Sequence, residues 1–348
     1  MIEFGSGNLL DADVQALVNT VNTVGIMGKG IALQFKKAYP ENFAAYAKAC
    51  EREEVQIGRM FIHHLAKLEN PQFIVNFPTK GHWRSRSKLE DIESGLDALV
   101  KDVKRLGIES LALPPLGCGH GGLVWEDVYP MIVQAFKDLP DVRVVVYAPG
   151  ATPDAGTMPN KTKRPNMTIG RATILGLMQS YSEPGYDYPV TVLEIQKLAY
   201  FQQCAGEPLK LAFEKGPFGP YADELRHVLN HIEGHFIQGF ADGQNKPDTA
   251  IKLREGAVDE AEQVLKKHAA TRERFGRVAK LIEGFETPFG MELLSSVHWI
   301  AVQENADAKT DVNAAITGVH AWNERKKKTM HADHIRSAWQ RLREQGWI

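Results

Sequence analysis

VNTVNTVGIMGKGIA, residues 18–32, sets two asparagines and a Gly-Lys-Gly turn between an apolar strand and an apolar helix. Asparagine side chains donate and accept at once, which suits ribose hydroxyls. Gly28 and Gly30 let backbone amides approach a phosphate at a helix N-terminus. A lone Gly-x-Gly is a weak signal, but this one has company on both sides. GSGNLLDAD (5–13) lies upstream, and a second glycine loop, PPLGCGHGGL (114–123), ends the apolar run Ser110–Leu113. Two anion-cradling loops, each following a strand-like run, imply a diphosphate held at the carboxyl ends of strands.

Further strand-like runs lie at 15–21, 73–77 and 143–147, with helix-period segments at 41–54, Leu89–Leu106 and 125–139 between and after them. Such alternation over residues 1–150 predicts an α/β domain with a largely parallel sheet flanked by helices. PGATPDAGTMPNKTKRPN (149–166) then brings four prolines and two glycines without apolar periodicity, which reads as a linker over 151–166. Beyond it, 167–181, 191–205, 222–240, 258–275 and 291–302 have helical spacing, so 167–348 is expected to be a mostly α-helical second domain. GPFGPY (216–221) reads there as a rigid turn. Residues 324–348 carry seven Lys/Arg against three Asp/Glu, a locally basic end.

A chain of 348 residues is long enough for two cores, and 43% hydrophobic with 24% charged residues is ordinary for a soluble globular protein. The net charge of -2 supplies no global attraction to nucleic acid, so any such binding has to come from local patches. Cys50, Cys118 and Cys204 share no Cys-x-x-Cys spacing, and an odd thiol fits a reducing compartment. MIEFGSGNLL lacks the pattern of a signal peptide and no apolar run is long enough for a bilayer, so a cytoplasmic protein without a membrane partner is expected.

NFPTKGHWRSRSK (76–88) follows the strand-like run FIVNF and holds Lys80, His82, Arg84, Arg86 and Lys88 around Trp83. Lys80 comes just past the strand, where functional side chains of α/β sheets gather, and Gly81 permits a tight turn behind it. His82, Trp83, Arg84 and Arg86 suit a single-stranded nucleic acid through phosphate contacts and stacking on the indole; the plain alternative is a solvated loop with an aromatic plug. His120 has two readings, a phosphate contact or a hydrogen-bonded spacer. Cys118 reads as a small packed residue rather than a nucleophile. His63 and His64 are adjacent on one strand, whose faces alternate, so they do not converge on one ion and no metal is expected. Glu126 and Asp127 open a helix and complement its dipole.

On Gly7-Asn8-Leu9, VNTVN, MGKGIA and LGCGHGG, residues 1–149 resemble the macrodomain family of ADP-ribose-binding modules and ADP-ribosyl hydrolases. MGKGIALQFKKAYP, and LGCG followed by Trp125-Glu126, are similar to the branch whose hydrolases use a lysine, and Lys80 matches that lysine. With its helical second part, the whole chain resembles the macrodomain antitoxins that reverse thymidine ADP-ribosylation of DNA by DarT-type transferase toxins. KLAYFQQCAGEPL with the GPFGPY turn is similar to the Panacea-type antitoxin domain, which implies direct neutralisation of the toxin. The resemblance implies that Asn8 and Leu9 meet adenine, that Asn22 meets the ribose beside the scissile bond, and that Thr20 and Val21 surround it. It also implies a first phosphate loop of Gly28, Lys29, Gly30, Ile31, Ala32, Leu33 and Gln34. By the same resemblance Gly117, Cys118, Gly119, His120 and Gly121 are expected to form the second, and Thr79 to orient substrate beside Lys80.

One departure stands out. In the lysine-dependent hydrolases of modified proteins an acidic residue in the second glycine loop assists the lysine, and Gly121 fills that place here. The implied reaction is hydrolysis of the N-glycosidic bond between ADP-ribose and thymidine in single-stranded DNA, with ADP-ribose as product and no cofactor. Lys80 has two roles open to it: as a neutral amine attacking the anomeric carbon, or as an ammonium supporting the departing base. The first requires its pKa to fall from about 10.4, through desolvation or through Arg84, Arg86 and Lys88. The alternatives are a non-catalytic ADP-ribose reader and a protein-ADP-ribosyl hydrolase, each with a protein-binding helical domain.

Overall fold

The computed structural model describes residues 1–150, 158–182, 190–240 and 248–348. Its backbone divides into two compact units at Lys163/Arg164. Of the linker segment, residues 151–157 lie outside the described residues. Residues 158–163 belong to the first unit, where the Lys161 N–H donates to the Lys37 carbonyl at 2.8 Å.

In the first unit the strands are β1 (Ile2–Phe4), β2 (Ala16–Asn22), β3 (Phe61–His64), β4 (Phe73–Lys80), β5 (Ser110–Leu113) and β6 (Arg143–Val146). The helices are α1 (Gly30–Ala38), α2 (Pro40–Glu51), α3 (Leu89–Leu106) and α4 (Trp125–Ala135). The sheet order is β1-β6-β5-β2-β4-β3, parallel throughout except for β3 against β4. β2 and β4 are covered on both faces, which is why ALVNTVN and FIVNFPTK run as nearly continuous buried segments rather than alternating. Ala16 and Val18 face the core shared with α3 and α4, whereas Leu17 joins Phe35 of α1 and Leu9 on the other side. The expected mixed, largely parallel sheet flanked by helices is therefore observed, and the β2–α1, β4–α3 and β5–α4 loops all leave carboxyl ends of parallel strands.

The second unit is helix-rich, with α5 (Ile169–Ser182), α6 (Val192–Cys204), α7 (Asp223–Ile232), α8 (Ala257–Leu265), α9 (Ala269–Ile282), α10 (Pro288–Trp299), α11 (Val312–Trp322), α12 (Glu324–Thr329) and α13 (Ala332–Glu344). Helix α6 is buried almost all round and opens on a capping box of Thr191 and Glu194. GPFGPY closes a hairpin between β7 (Glu214–Gly216) and β8 (Gly219–Tyr221), in keeping with a rigid turn.

Two helical segments of the sequence reading come out broken. The segment 222–240 is helical only to Ile232. Gly234 then turns at φ 80°, and the Glu233 carboxylate accepts the Gly239 and Phe240 N–H groups, folding the chain back into the short strand β9 (Ile237–Gln238) against β10 (Lys252–Leu253). The segment 258–275 divides at 266–268 into α8 and α9. Within the basic end, Lys326 is fully buried and donates to Glu292 and to Ser296 Oγ. Among the described residues, no helix is long and apolar enough to cross a membrane.

Candidate active site

The site is assembled by an irregularity in the β2–β4 pairing. Val21 lies opposite Pro78 but Asn22 lies opposite Lys80, so Thr79 is the extra residue of a bulge. Bulges re-aim the side chain that follows them. Thr79 is buried and its hydroxyl donates to the Val21 carbonyl at 3.4 Å, which makes it a brace of the bulge. Lys80 Nζ donates to the His120 carbonyl at 3.2 Å, joining β4 to the second glycine loop. Burial draws the Lys80 pKa below the usual lysine value. The neighbouring cations are not the cause: the Arg84 guanidinium is stacked over the Trp83 ring at 4.5 Å, and desolvation alone accounts for the direction of the shift.

The first glycine loop is held from inside. Asn22 Oδ1 accepts the Val24 N–H at 3.0 Å and the Ile26 N–H at 3.3 Å, and its amide donates to the Ile26 carbonyl at 2.6 Å. Its oxygen is thus already engaged in the turn, and one amide hydrogen remains for a further acceptor. Tyr46 Oη donates to the Asn22 carbonyl at 2.6 Å. Beneath lies a buried set in which Asn19 and Asn42 both donate to Asn76 Oδ1, at 3.0 and 3.3 Å. Helix α1 opens at Gly30, where φ is 58°, and Lys29 gives no side-chain cap. Its first-turn N–H groups are therefore available to an anion. Gly28 has room for a Cβ, whose nearest neighbour is 3.7 Å away, so packing alone does not demand glycine there. In the same turn Ile31 and Ala32 are half-buried, while Leu33 and Gln34 are buried and Gln34 Oε1 has no hydrogen-bond partner.

In the second loop Gly119 likewise has nothing within 4 Å of a Cβ, whereas Gly121 has no room at all. A Cβ at 121 would fall 2.3 Å from the Gly117 carbonyl oxygen and 2.3 Å from Ser87 Oγ. The Ser87 N–H donates to the Gly121 carbonyl at 3.0 Å, closing the β4–α3 loop onto this one. That contact explains why no acidic side chain occupies the place: the loops are packed too tightly for any side chain. Cys118 donates to the Leu116 carbonyl, and its thiol pKa is pushed up to about 11 by burial and then by Glu126, the wrong direction for a nucleophile. His120 is exposed and contributes its carbonyl to Lys80.

Asn8 caps the short turn Leu9–Asp11 and accepts from the Leu10 N–H, its amide nitrogen buried without a partner. Leu9 is buried beside Leu10, and Thr20 and Val21 lie within β2. His82 and Trp83 have ring centroids 5.4 Å apart, and Arg86 is exposed. His63 and His64 both lie on β3, and His64 sits edge-on to Phe73. Glu126 and Asp127 fall in the first turn of α4. The sequence reading missed Tyr46, Ser87 and Tyr147. Tyr147 lies in the core cluster with Leu9, and its ring would be 2.5 Å from a Cβ at Gly5. A glycine facing an aromatic was the one signal it offered.

The electrostatics follow from composition. No Asp or Glu stands between Asp13 and Glu41, between Glu69 and Glu90, or between Glu109 and Glu126. The three loops that converge on Lys80 therefore supply no carboxylate, which favours an anionic ligand and leaves the lysine without an acidic partner from those loops.

The Macro domain family model matches residues 18–132. A "DNA ADP-ribosyl glycohydrolase" of Thermus aquaticus is 48% identical over 99% of this chain and 94% of its own. A "DNA ADP-ribosyl transferase-DNA ADP-ribosyl glycohydrolase fusion protein" of Thermosipho africanus is 35% identical over 41% of this chain and 40% of its own. The solved "Macrodomain of Mycobacterium tuberculosis DarG" is 59% identical, covers 43% of this chain and 99% of its own, and has a TM-score of 0.43. With nearly half of its residues identical to the Thermus aquaticus relative across almost the full length of both, the chain belongs to the DNA ADP-ribosyl glycohydrolase, or DarG, family of macrodomain proteins.

Proposed function

We propose that the chain hydrolyses the N-glycosidic bond joining ADP-ribose to thymidine in single-stranded DNA, with Lys80 as the catalytic residue. The observation that carries this reading is the placement of Lys80: opposite Asn22 across a bulge, partly desolvated, on the His120 carbonyl, among loops without a carboxylate. Gly28–Gln34 and Gly117–Gly121 would cradle the diphosphate, Asn8 and Leu9 the adenine, and Asn22 with Thr20 and Val21 the distal ribose. His82, Trp83, Arg84 and Arg86 would meet the DNA strand.

A lysine whose pKa is lowered by burial has more of its neutral amine near neutral pH than an ordinary lysine. Its nitrogen lone pair attacks the anomeric carbon, the carbon–nitrogen bond to thymine breaks, and the electron pair leaves on the base, which takes up a proton. Nζ loses its proton to solvent, and the sugar ring opens to an imine. Addition of water then releases ADP-ribose and restores the amine. Gly121, fixed as glycine by Ser87, leaves this chemistry to the lysine and solvent. Borohydride added during turnover is expected to trap ADP-ribose on Lys80; brisk turnover with no protein adduct would replace amine attack by the ammonium role.

The second unit is proposed to bind and neutralise a cognate DarT-type transferase. The full-length relationship to the glycohydrolase family supports it, as does the occurrence of transferase and glycohydrolase within one fused chain. Co-purification of the full chain, and of a chain lacking 1–163, with an inactive cognate transferase tests it; recovery only with 1–163 present would assign the contact elsewhere.

A further inference from the structure

The turn between β2 and α1 presents apolar side chains that folding has no use for. Its backbone is secured internally by Asn22 and Tyr46, and the Thr23 N–H and hydroxyl both donate to the Gly81 carbonyl at 2.9 Å. This ties the turn to the β4–α3 loop two residues before Trp83. Val24 is 44% exposed, Ile26 45% and Trp83 40%. β-Branched apolar side chains left half in water by an internally braced turn gain little from burial, and several of them on two loops tied together beside Lys80 mark a surface that a ligand covers. The same two loops bring Lys29, Arg84, Arg86 and Lys88 and no acid. Apolar surface among cations, without carboxylates, matches a strand that offers flat base faces and phosphodiesters together.

Resting on the glycohydrolase reading above, we infer that Val24 and Ile26, with Trp83, seat the nucleobases flanking the modified thymidine. They make the site selective for single-stranded nucleic acid, because a duplex hides those faces inside its stack. The backbone groups of Val24 and Ile26 are bonded to Asn22, so it is their side chains that serve as specificity groups for the strand.

The test compares kcat/KM of the full chain and of the double variant V24S/I26S on two substrates: a single-stranded oligonucleotide ADP-ribosylated on one thymidine, and ADP-ribosyl-thymidine as the nucleoside. The ratio of oligonucleotide to nucleoside kcat/KM is expected to fall about tenfold, roughly the worth of one base stack, chiefly through KM. V24L/I26L, which keeps the surface apolar, is expected to restore it. An unchanged ratio, or an equal loss on both substrates, overturns the proposal, as does failure of the leucine pair to rescue. Absence of release from the oligonucleotide by the unmodified chain overturns the glycohydrolase reading and this one with it. An equally large fall in turnover of ADP-ribosylated peptide by V24S/I26S would show a general apolar rim and also refute the strand-specific seat.

Discussion

Lys80 in the first unit and Lys326 in the second are both drawn below the usual lysine pKa by burial, yet they are set in opposite surroundings. Lys326 has no exposed side-chain surface and donates to the Glu292 carboxylate, which pulls its pKa partly back to about 8. Lys197 beside it, also fully buried, donates to the Pro220 carbonyl at 2.7 Å and is lowered to about 7, by burial first and then by the charge of Lys326. Lys80 keeps an open side and has a backbone carbonyl where Lys326 has a carboxylate. A lysine given a carboxylate is held as a charge, whereas one given only a carbonyl dipole surrenders its proton more readily; Lys197 does so sealed in the core and Lys80 where a ligand can reach it. The helical unit uses its buried lysines to hold the GPFGPY hairpin and α12 in place; the first unit leaves its lysine half-buried against the second glycine loop.

The largest effect is expected at Glu292. Glu292→Ala strands Lys326 in the core without a counter-ion and should cost about 3–5 kcal/mol of helical-unit stability. Thermal unfolding of the full chain followed by tryptophan fluorescence measures it, and ADP-ribose affinity, a property of the first unit, is expected to hold. A loss below about 1 kcal/mol would mean that the buried pair is no anchor.

The next contrast lies within the second glycine loop. Gly121→Ala drives a methyl into the Gly117 carbonyl and Ser87, and is expected to cost about 1–3 kcal/mol in stability. Gly119→Ala meets nothing and should leave the melting temperature unchanged while weakening ADP-ribose binding measured by calorimetry. Equal melting temperatures for the two would remove the steric account of why position 121 carries no acid.

The pH dependence sharpens the lysine side. Because the Lys80 pKa is lowered in the folded chain, its amine form is reached at lower pH than for an ordinary lysine. If the amine attacks, kcat/KM rises about tenfold per pH unit until a midpoint below about 10.4 and is level above it. An ammonium role predicts the reverse, a fall through the same midpoint. The smallest effect is expected for Tyr46→Phe, which removes the hydrogen bond to the Asn22 carbonyl. About 1 kcal/mol of stability should go with it, read by chemical denaturation, together with a modest rise in KM.

Much of the first unit is legible in the sequence because its parallel strands and helices obey local rules. Leu89–Leu106 keeps helical period to its glycine stop, and Ser110–Leu113 is bounded as its apolar run suggests. The bulge at Thr79 is invisible in FIVNFPTK because it exists only in the register against β2. Ser87 reads as a plain loop serine until Gly121 is placed over it, and Tyr46 as one apolar helix position among several. In the helical unit, 222–240 keeps an apolar rhythm past Ile232, and the helix ends there through Gly234 at φ 80° together with the Glu233 carboxylate, which accepts the Gly239 and Phe240 N–H groups ahead of it. Lys326, within ERKKKT, looks like any solvated lysine; its burial is set by Glu292, 34 residues away.

The most direct measurement is release of ADP-ribose from thymidine-ADP-ribosylated single-stranded DNA by the intact chain and by Lys80→Ala, with ADP-ribose affinity measured on both. Release by the intact chain, a fall of at least about 1,000-fold in the variant and matched affinity are the predicted results, the scale on which loss of an essential nucleophile is felt. Comparable release by the two would contradict a lysine-dependent glycohydrolase, and no release by either would leave an ADP-ribose reader.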